Sequence, residues 1–177
     1  MKSNIAEDVK IFEFAKLIYG EENLFIGSRS QIDDFVFLNA GELCEIGRFV
    51  HISSFCSIIG GGKFIMEDFS GLSAGCRIIT GSEDFKGAFL SNPTIPAKYK
   101  NVSTGSVRIN KHAIIGTNSI ILPDVEIGEG VTVGAASLVN KSLEPWGIYA
   151  GTRPKKVGER DRTGVIDLER KFLKECQ

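Results

Sequence analysis

The chain has 177 residues, a length that predicts one compact domain rather than two. Its 42% hydrophobic and 24% charged residues are typical of a folded protein and exclude a disordered or collagen-like chain. The formal net charge of -1 provides no overall attraction to nucleic acid or to anionic lipid, so an anionic ligand must be bound by local groups.

The sequence indicates neither membrane insertion nor metal binding. No apolar run reaches the roughly 18 residues of a membrane span, and the stretch from Met1 to Asp8 lacks the basic-then-apolar order of a signal peptide. We therefore expect a cytoplasmic protein. The four cysteines show no CxxC pairing and there are only two histidines, so we expect neither a zinc site nor a disulfide framework.

Aliphatic residues recur at every sixth position in the first half of the chain. The tracts are Ile26, Ile32 and Leu38, then Ile46, Ile52 and Ile58, then Met66, Leu72 and Ile78. Residues 4–19 fit two interpretations, an amphipathic helix or further repeats that start with Ile11 and Leu17. We favour the repeats, although propensity alone does not decide.

The period stops between Ile78 and Ile109. The residues between them show no periodicity. Long irregular segments in compact domains are usually functional or disordered, and we expect residues 80–106 to form an extruded loop.

The period is unbroken in the second half of the chain. Its members are Ile109, Ile115, Ile121, Ile127, Val133 and Val139. A spacing of six matches neither the 3.6 period of a helix nor the alternation of a hairpin meander. It predicts a solenoid with triangular coils of 18 residues, in which each aliphatic side chain stacks on its copy about 4.8 Å above.

A short helix is predicted after the repeats end. Residues 164–177 carry an apolar set that comprises Ile166, Leu168, Phe172 and Leu173. Solenoids need a cap over the last open coil, and this helix is the natural candidate. The chain is therefore divided into a β-helix domain of residues 1–163 and a C-terminal helix of residues 164–177.

A resemblance to a known family appears in the hexads from Ile109 onward, which include IIGTNSIILPDVEIGEGVTVGAASLVNKSLEPWGIYAGTRPKKV. They resemble those of the hexapeptide-repeat acyltransferases, in particular the galactoside and maltose acetyltransferases. The resemblance implies an all-β fold, a left-handed parallel β-helix with an extended loop and a C-terminal α-helix. It also implies a homotrimer that binds acetyl-CoA between neighbouring chains. Two features depart from the family: Pro154 is shifted by one position, and the segment after Ile78 lacks the usual catalytic histidine.

Two histidines are candidates for the general base, which must accept a proton from the acceptor group. His51 is expected to point outward from a strand, and Gly71 in the next coil leaves room beside its imidazole. We expect His51 to be the base and Asp84 to orient it or to act as the base itself. The alternatives are packing at a subunit interface for His51 and a solvated loop charge for Asp84. His112 falls on a corner, where we expect its side chain to be solvated and its substitution by Asn to leave turnover nearly unchanged.

The resemblance also assigns residues to the coenzyme. Thr117 and Ala135 match positions that line the pantetheine channel in the family. Asn140 and Lys141 match a pair near the adenosine end, and Lys155 matches a basic residue near the phosphates, where a flexible ammonium group is suitable. These five residues are expected to bind acetyl-CoA as the co-substrate, and no metal is expected.

These observations predict an acetyl-CoA-dependent acetyltransferase that acts on a hydroxyl or amino group of a sugar, either nucleotide-linked or part of a cell-surface polysaccharide. The alternative is a non-catalytic β-helix scaffold or a trimeric binding protein. A carbonic anhydrase of this shape needs three histidines for zinc, and one chain carries two.

Overall fold

Three sheets, wound by successive turns of the chain, make up most of the molecule, for which a computed structural model describes residues 4–176. Each turn contributes one short strand to each sheet, and about seven such coils stack into a parallel β-helix. One helix follows at the C-terminal end. The predicted parallel β-helix with a C-terminal helix is thereby confirmed.

The strands are short, as the hexad spacing requires. The first sheet contains eight strands: Lys10–Ile11, Gln31–Ile32, His51–Ile52, Gly71–Leu72, Ile114–Ile115, Thr132–Val133, Gly147–Ala150 and Lys155–Glu159. The second contains six: Lys16–Ile18, Phe37–Asn39, Ser57–Ile59, Arg77–Ile79, Ile120–Ile121 and Leu138–Val139. The third contains five: Leu24–Ile26, Leu43–Ile46, Lys63–Met66, Ser106–Ile109 and Val125–Ile127. A two-stranded hairpin, Gly81–Ser82 with Ser103–Thr104, a 3-10 helix at Ala97–Tyr99 and the α-helix Arg162–Glu175 complete the elements.

The N-terminal segment forms coils and not a helix. Lys10–Ile11 pairs in parallel with Gln31–Ile32, and Lys16–Ile18 pairs in parallel with Phe37–Asn39. Leu17 packs against the core from this segment. The favoured interpretation of residues 4–19 is confirmed. Stacking on the next coil provides hydrogen-bond partners for the backbone N–H and C=O groups of this segment, a contribution that local helix propensity does not include.

Aliphatic side chains in register fill the interior. Leu72 lies between Ile52 and Ile115 in the first sheet, and none of the three is more than 1% exposed. The glycine that follows such a residue allows close approach between coils. A Cβ on Gly116 would lie 2.6 Å from the backbone nitrogen of Ala135, well inside the contact distance of real side chains.

The long insertion leaves the β-helix without changing its register. Ile78 pairs with Ile58 in the coil below and with Ile121 in the coil above. Between Ile78 and Ile121, the antiparallel hairpin of Gly81–Ser82 with Ser103–Thr104 closes the base of the irregular loop. We name the turns between the second and third sheets the loop corner; they lie at residues 40–42, 60–62, 122–124 and 140–142, and the insertion emerges among them.

The C-terminal helix, Arg162–Glu175, lies along another corner of the β-helix. We name this the helix corner, formed by the turns between the third and first sheets at residues 27–30, 47–50, 67–70, 110–113 and 128–131. The Phe172 ring packs edge-on against the rings of Phe49 and Phe69, with centroids 5.2 and 6.0 Å away. The prediction that this helix caps the last open coil is therefore wrong. That position is taken by the strand Lys155–Glu159, which folds back antiparallel on the strand before it.

His112 is buried beneath the helix, with 5% of its surface exposed, and the expectation of a solvated corner histidine is wrong. Its Nε2 lies 2.9 Å from Oε2 of Glu169, whose Oε1 accepts a hydrogen bond from Nζ of Lys111 at 2.6 Å. Arg160 donates to the His112 carbonyl oxygen at 2.6 Å. Burial raises the pKa of the Glu169 carboxyl, but the hydrogen bonds from Lys111 and His112 outweigh burial and the net pKa is lowered.

Neutralising Glu169 should loosen the helix. Glu169→Gln leaves the buried His112 without its anionic partner, and we expect the free energy of unfolding to fall by about 1–3 kcal/mol at neutral pH. Because the pKa of Glu169 is lower in the folded state, its stabilisation is present above the unfolded pKa and is lost as pH falls through the folded value.

Denaturant unfolding at several pH values measures this effect. The stabilities of wild type and Glu169→Gln should converge at the acid end. The control is Glu175→Gln, an exposed carboxylate at the end of the same helix, which should unfold like the wild type. Equal stability of Glu169→Gln and wild type at neutral pH would contradict the role given to this ion pair.

Candidate active site

His51 lies on the outward face of the first sheet. In register with it are Gln31 in the coil below and Gly71 in the coil above. About half of the His51 side chain is exposed. The hexad register therefore predicted both the outward direction of His51 and its glycine neighbour.

A carboxylate holds the His51 ring. Nε2 of His51 lies 2.9 Å from Oδ2 of Asp33, and Nε2 of Gln31 donates to Oδ1 of the same residue at 2.8 Å. Burial raises the pKa of the Asp33 carboxyl, but the hydrogen bonds from Gln31 and His51 outweigh burial and the net pKa is lowered. Asp33 is thus an anionic acceptor, so Nε2 of a neutral His51 carries the proton and Nδ1 offers a free lone pair.

A niche adjoins the His51 ring because the residue above it has no side chain. A Cβ placed on Gly71 would meet only the carbonyl oxygen of His51, at 3.9 Å. One coil higher, Ile114 pairs with Gly71 and is exposed on the same face. The niche is therefore one coil tall, polar on its lower side and apolar on its upper side.

Asp84 does not contact His51. Its carboxylate accepts hydrogen bonds from the backbone N–H groups of Lys86 and Phe89, both at 2.8 Å. These bonds lower the pKa of the Asp84 carboxyl. Asp84 follows the second sheet at the loop corner, which lies opposite the first sheet in a triangular coil. Within one chain, His51 is therefore paired with Asp33 and not with Asp84 as expected.

Asp33 was not among the predicted site residues, although the sequence carries a signal for it. Asp33 directly follows Ile32, an inward residue of the first sheet, and lies two positions after Gln31, the residue in register with His51 one coil below. A carboxylate this close to the position below a histidine lies within reach of the imidazole.

Thr117 and Ala135 lie one coil apart at the third corner. We name it the open corner, formed by the turns between the first and second sheets at residues 12–15, 33–36, 53–56, 73–76, 116–119 and 134–137. The N–H of Ala136 donates to the carbonyl oxygen of Thr117 at 2.8 Å, which links the two turns. Both side chains are small and exposed. The structure thus brings the two residues assigned to the pantetheine channel together.

The other three predicted coenzyme residues are exposed but do not form one cluster. Asn140 and Lys141 lie at the loop corner. Lys155 pairs with Ala150 in the last hairpin, next to the open corner. In one chain, the width of the second sheet separates Lys155 from Lys141.

Metal ligands and membrane-spanning helices would each indicate another kind of site. Within residues 4–176, no three histidine, cysteine, aspartate or glutamate side chains converge as a metal site would require. The C-terminal helix is the one α-helix of that range, and it is not long and apolar enough to cross a membrane.

Comparison with known proteins places this geometry in a family. The family model "Bacterial transferase hexapeptide (six repeats)" matches residues 106–141. The dTDP-4-amino-4,6-dideoxy-D-glucose acyltransferase of Escherichia coli is 38% identical over 170 residues, which cover 96% of this chain and 88% of that protein. A crystal structure of a variant of AntD, an N-acyltransferase from Bacillus cereus, in complex with dTDP-4-amino-4,6-dideoxyglucose and coenzyme A is 41% identical. It superposes with a TM-score of 0.88, covering 97% of this chain and 90% of that chain.

A more distant structure shares the fold alone. The maltose O-acetyltransferase of Clostridium difficile 630 is 19% identical, with a TM-score of 0.66 over 77% of this chain and 70% of that chain. The hexad β-helix and the similarity along nearly the whole chain define an acyltransferase that uses a coenzyme A thioester. The chain belongs to the hexapeptide-repeat acyltransferase family and transfers an acyl group from acyl-CoA to a sugar. The alternative of a non-catalytic scaffold is thereby set aside.

Proposed function

We propose that this protein N-acylates a dTDP-linked 4-amino-4,6-dideoxyhexose, with acetyl-CoA as the donor. The similarity along 96% of the chain to the Escherichia coli dTDP-4-amino-4,6-dideoxy-D-glucose acyltransferase carries this proposal. The AntD variant, similar over 97% of the chain, binds an amino sugar of that kind together with coenzyme A. Of the two acceptor groups that the sequence left open, hydroxyl and amine, these relatives favour the amine.

In this mechanism His51 is the general base. The amine nitrogen of the sugar attacks the thioester carbonyl carbon, the C–N bond forms and the C–S bond breaks. The proton released from nitrogen goes to Nδ1 of His51, and the coenzyme leaves as a thiolate that takes up a proton. Asp33 accepts the Nε2–H of His51 at 2.9 Å and so keeps Nδ1 free, while the niche over Gly71 admits the acceptor.

The proposed enzyme is a homotrimer that assembles through the second sheet, whose outward face is largely apolar and has Lys16, Ser57 and Arg77 as polar members. The exposed or half-buried residues of that face are Ile18, Phe37, Ile59, Ile79, Ile120, Leu122 and Leu138. By contrast, the outward column of the third sheet interrupts Phe25 and Ile65 with three charged residues, Glu45, Arg108 and Glu126. Apolar patches of this kind mark subunit interfaces.

A neighbouring chain on this face explains the spread of the coenzyme residues. The face is bordered by Thr117 and Ala135 at the open corner and by Asn140 and Lys141 at the loop corner. A coenzyme bound between two chains can therefore contact Lys155 of one chain and Lys141 of the other. We assign the five residues to the coenzyme on this basis.

A cytoplasmic location completes the proposal. The thiols of Cys44, Cys56 and Cys76 are free and buried. Burial raises the pKa of the Cys44 thiol to about 12, as expected of an inert core cysteine. Unpaired cysteines are typical of the reducing cytoplasm.

The general base can be tested by steady-state kinetics with acetyl-CoA and dTDP-4-amino-4,6-dideoxyglucose. His51→Asn should lower kcat by about 10²- to 10⁴-fold with a nearly unchanged KM for acetyl-CoA, because no group then accepts the proton. Asp33→Asn should fall between this variant and the wild type.

The control is Lys10→Ala, which should leave kcat and KM unchanged. Lys10 lies two coils below His51 in the same column of the first sheet. Wild-type turnover in His51→Asn would remove His51 from the mechanism. A larger loss in Asp84→Asn than in His51→Asn would identify Asp84 as the base.

The assembly can be tested by placing a charge on the apolar face. Ile120→Lys should convert the trimer into smaller species in light scattering and abolish activity, because a lysine cannot be buried unpaired. Phe25→Lys on the third sheet is the matched control, since Phe25 is 38% exposed and Ile120 is 37% exposed. A wild-type monomer with full activity would overturn the trimer.

The coenzyme assignment predicts a specific kinetic signature. Lys141→Ala or Lys155→Ala should raise KM for acetyl-CoA more than it lowers kcat, because Lys141 is assigned to the adenosine end and Lys155 to the phosphates, and neither lies near the reacting atoms. Lys171→Ala, an exposed lysine on the C-terminal helix, should leave both constants unchanged. Unchanged KM with collapsed kcat in Lys141→Ala and Lys155→Ala would show that the phosphates bind elsewhere.

A further inference from the structure

Two corners of the β-helix carry phenylalanines in an unfavourable backbone conformation, but only one of these corners is covered. At the helix corner, Phe49 and Phe69 have φ values of 57° and 60°, and the C-terminal helix packs on both rings. At the open corner, Phe35 and Phe55 both have φ of 63°. Bulky residues rarely adopt this left-handed region, so a phenylalanine there indicates a use for its ring.

The rings at the open corner form a stacked, exposed ladder. Phe14 stacks on Phe35 at a centroid distance of 5.7 Å, and Phe35 stacks on Phe55 at 5.1 Å. The three residues are 60%, 54% and 58% exposed. Within residues 4–176, no other aromatic ring packs on this ladder, in contrast to Phe172 at the helix corner.

The ladder ends at Phe55 because the next coil has a glycine. Gly75 occupies the equivalent position with φ of 75°, so no aromatic ring among residues 4–176 lies on the upper side of the Phe55 ring. One coil higher, the amide of Asn118 leans into the space that a Gly75 side chain would fill. The Asn118 side chain makes no hydrogen bond within the part of the chain that the structure describes.

A guanidinium group lies beside this gap. Nη1 of Arg77 donates to the carbonyl oxygens of Phe55 and Gly75, the latter at 2.9 Å, and so is held at the corner. No carboxylate among residues 4–176 forms an ion pair with Arg77. Its remaining N–H groups are thus available to an anion, for which the planar fork of a guanidinium is well suited.

We propose that the open corner binds the nucleotide part of the substrate: the nucleobase stacks on Phe55, the Asn118 amide bonds to its edge, and Arg77 binds the diphosphate. This inference rests on the proposed function, which supplies a dTDP-linked substrate. An aromatic ring accepts any base on its face, whereas an amide offers one donor and one acceptor, the complement of the N3–H and O4 of thymine.

The position of this subsite agrees with the chemistry. His51 is four residues before Phe55, on the first-sheet side of the same coil, and Thr117 immediately precedes Asn118. The nucleotide subsite therefore lies along the open corner, between the coil of the proposed general base and the coil of Thr117 in the proposed pantetheine channel.

The proposed nucleotide subsite can be tested by measuring the affinity of the intact protein for dTDP, thymidine and coenzyme A by calorimetry. Light scattering then shows whether each variant keeps the wild-type assembly. Phe55→Ala should weaken dTDP binding by about tenfold or more and leave coenzyme A affinity unchanged. Phe55→Tyr should retain binding. Arg77→Lys should weaken dTDP binding but not thymidine binding, because only dTDP carries the diphosphate. Phe14→Ala, which removes an equally exposed ring at the far end of the ladder, is the control and should bind dTDP like the wild type.

The possible failures are distinguishable. If wild type binds dTDP and Phe55→Ala binds it equally well, the subsite is overturned and the proposed function stands. If wild type binds coenzyme A but not dTDP, the dTDP-linked substrate is overturned and the subsite with it. If Phe55→Ala dissociates the assembly, the ladder is a contact between copies of the chain, which also overturns the subsite.

Discussion

Parallel register between successive coils is the constraint on which the rest of this structure depends. The backbone groups of each coil pair with the coils below and above, as Ile78 does with Ile58 and Ile121, so each inward side chain has to fit its copies on both sides. The strands cannot accommodate irregular sequence without breaking this stack. The long loop is tolerated because it leaves and re-enters at one corner, closed by the hairpin of Gly81–Ser82 with Ser103–Thr104.

Because the strands are constrained, the three corners differ in what they carry. The helix corner is covered by a helix of 14 residues, about 21 Å long, which matches four coil spacings of about 4.8 Å. The buried contact of His112 with Glu169 attaches that helix midway. The loop corner carries the insertion, and the open corner keeps the rings of Phe14, Phe35 and Phe55 exposed. Only the open corner adjoins both the first sheet with its histidine and the apolar face of the second sheet.

The proposed chemistry follows from this arrangement. Asp33 directly follows the first-sheet strand of the coil below His51, at the start of the open corner, so the stacking of two neighbouring coils sets the separation of this hydrogen-bonded pair. The niche beside His51 exists because the coil above has Gly71 in register with it. The phenylalanine ladder and the small residues above it lie along the adjacent corner. The proposed substrate and coenzyme subsites are therefore separated by coil number along the β-helix.

The sequence by itself determined which side chains point inward, since the six-residue period fixes that choice locally and also places His51 outward beneath Gly71. It did not determine which outward groups meet. The pairing of His51 with Asp33 depends on the offset between coils, and the burial of His112 depends on where the C-terminal helix docks. Periodicity within one coil carries no information about these contacts, because they join residues from different coils or from outside the β-helix. Only the tertiary structure decided them.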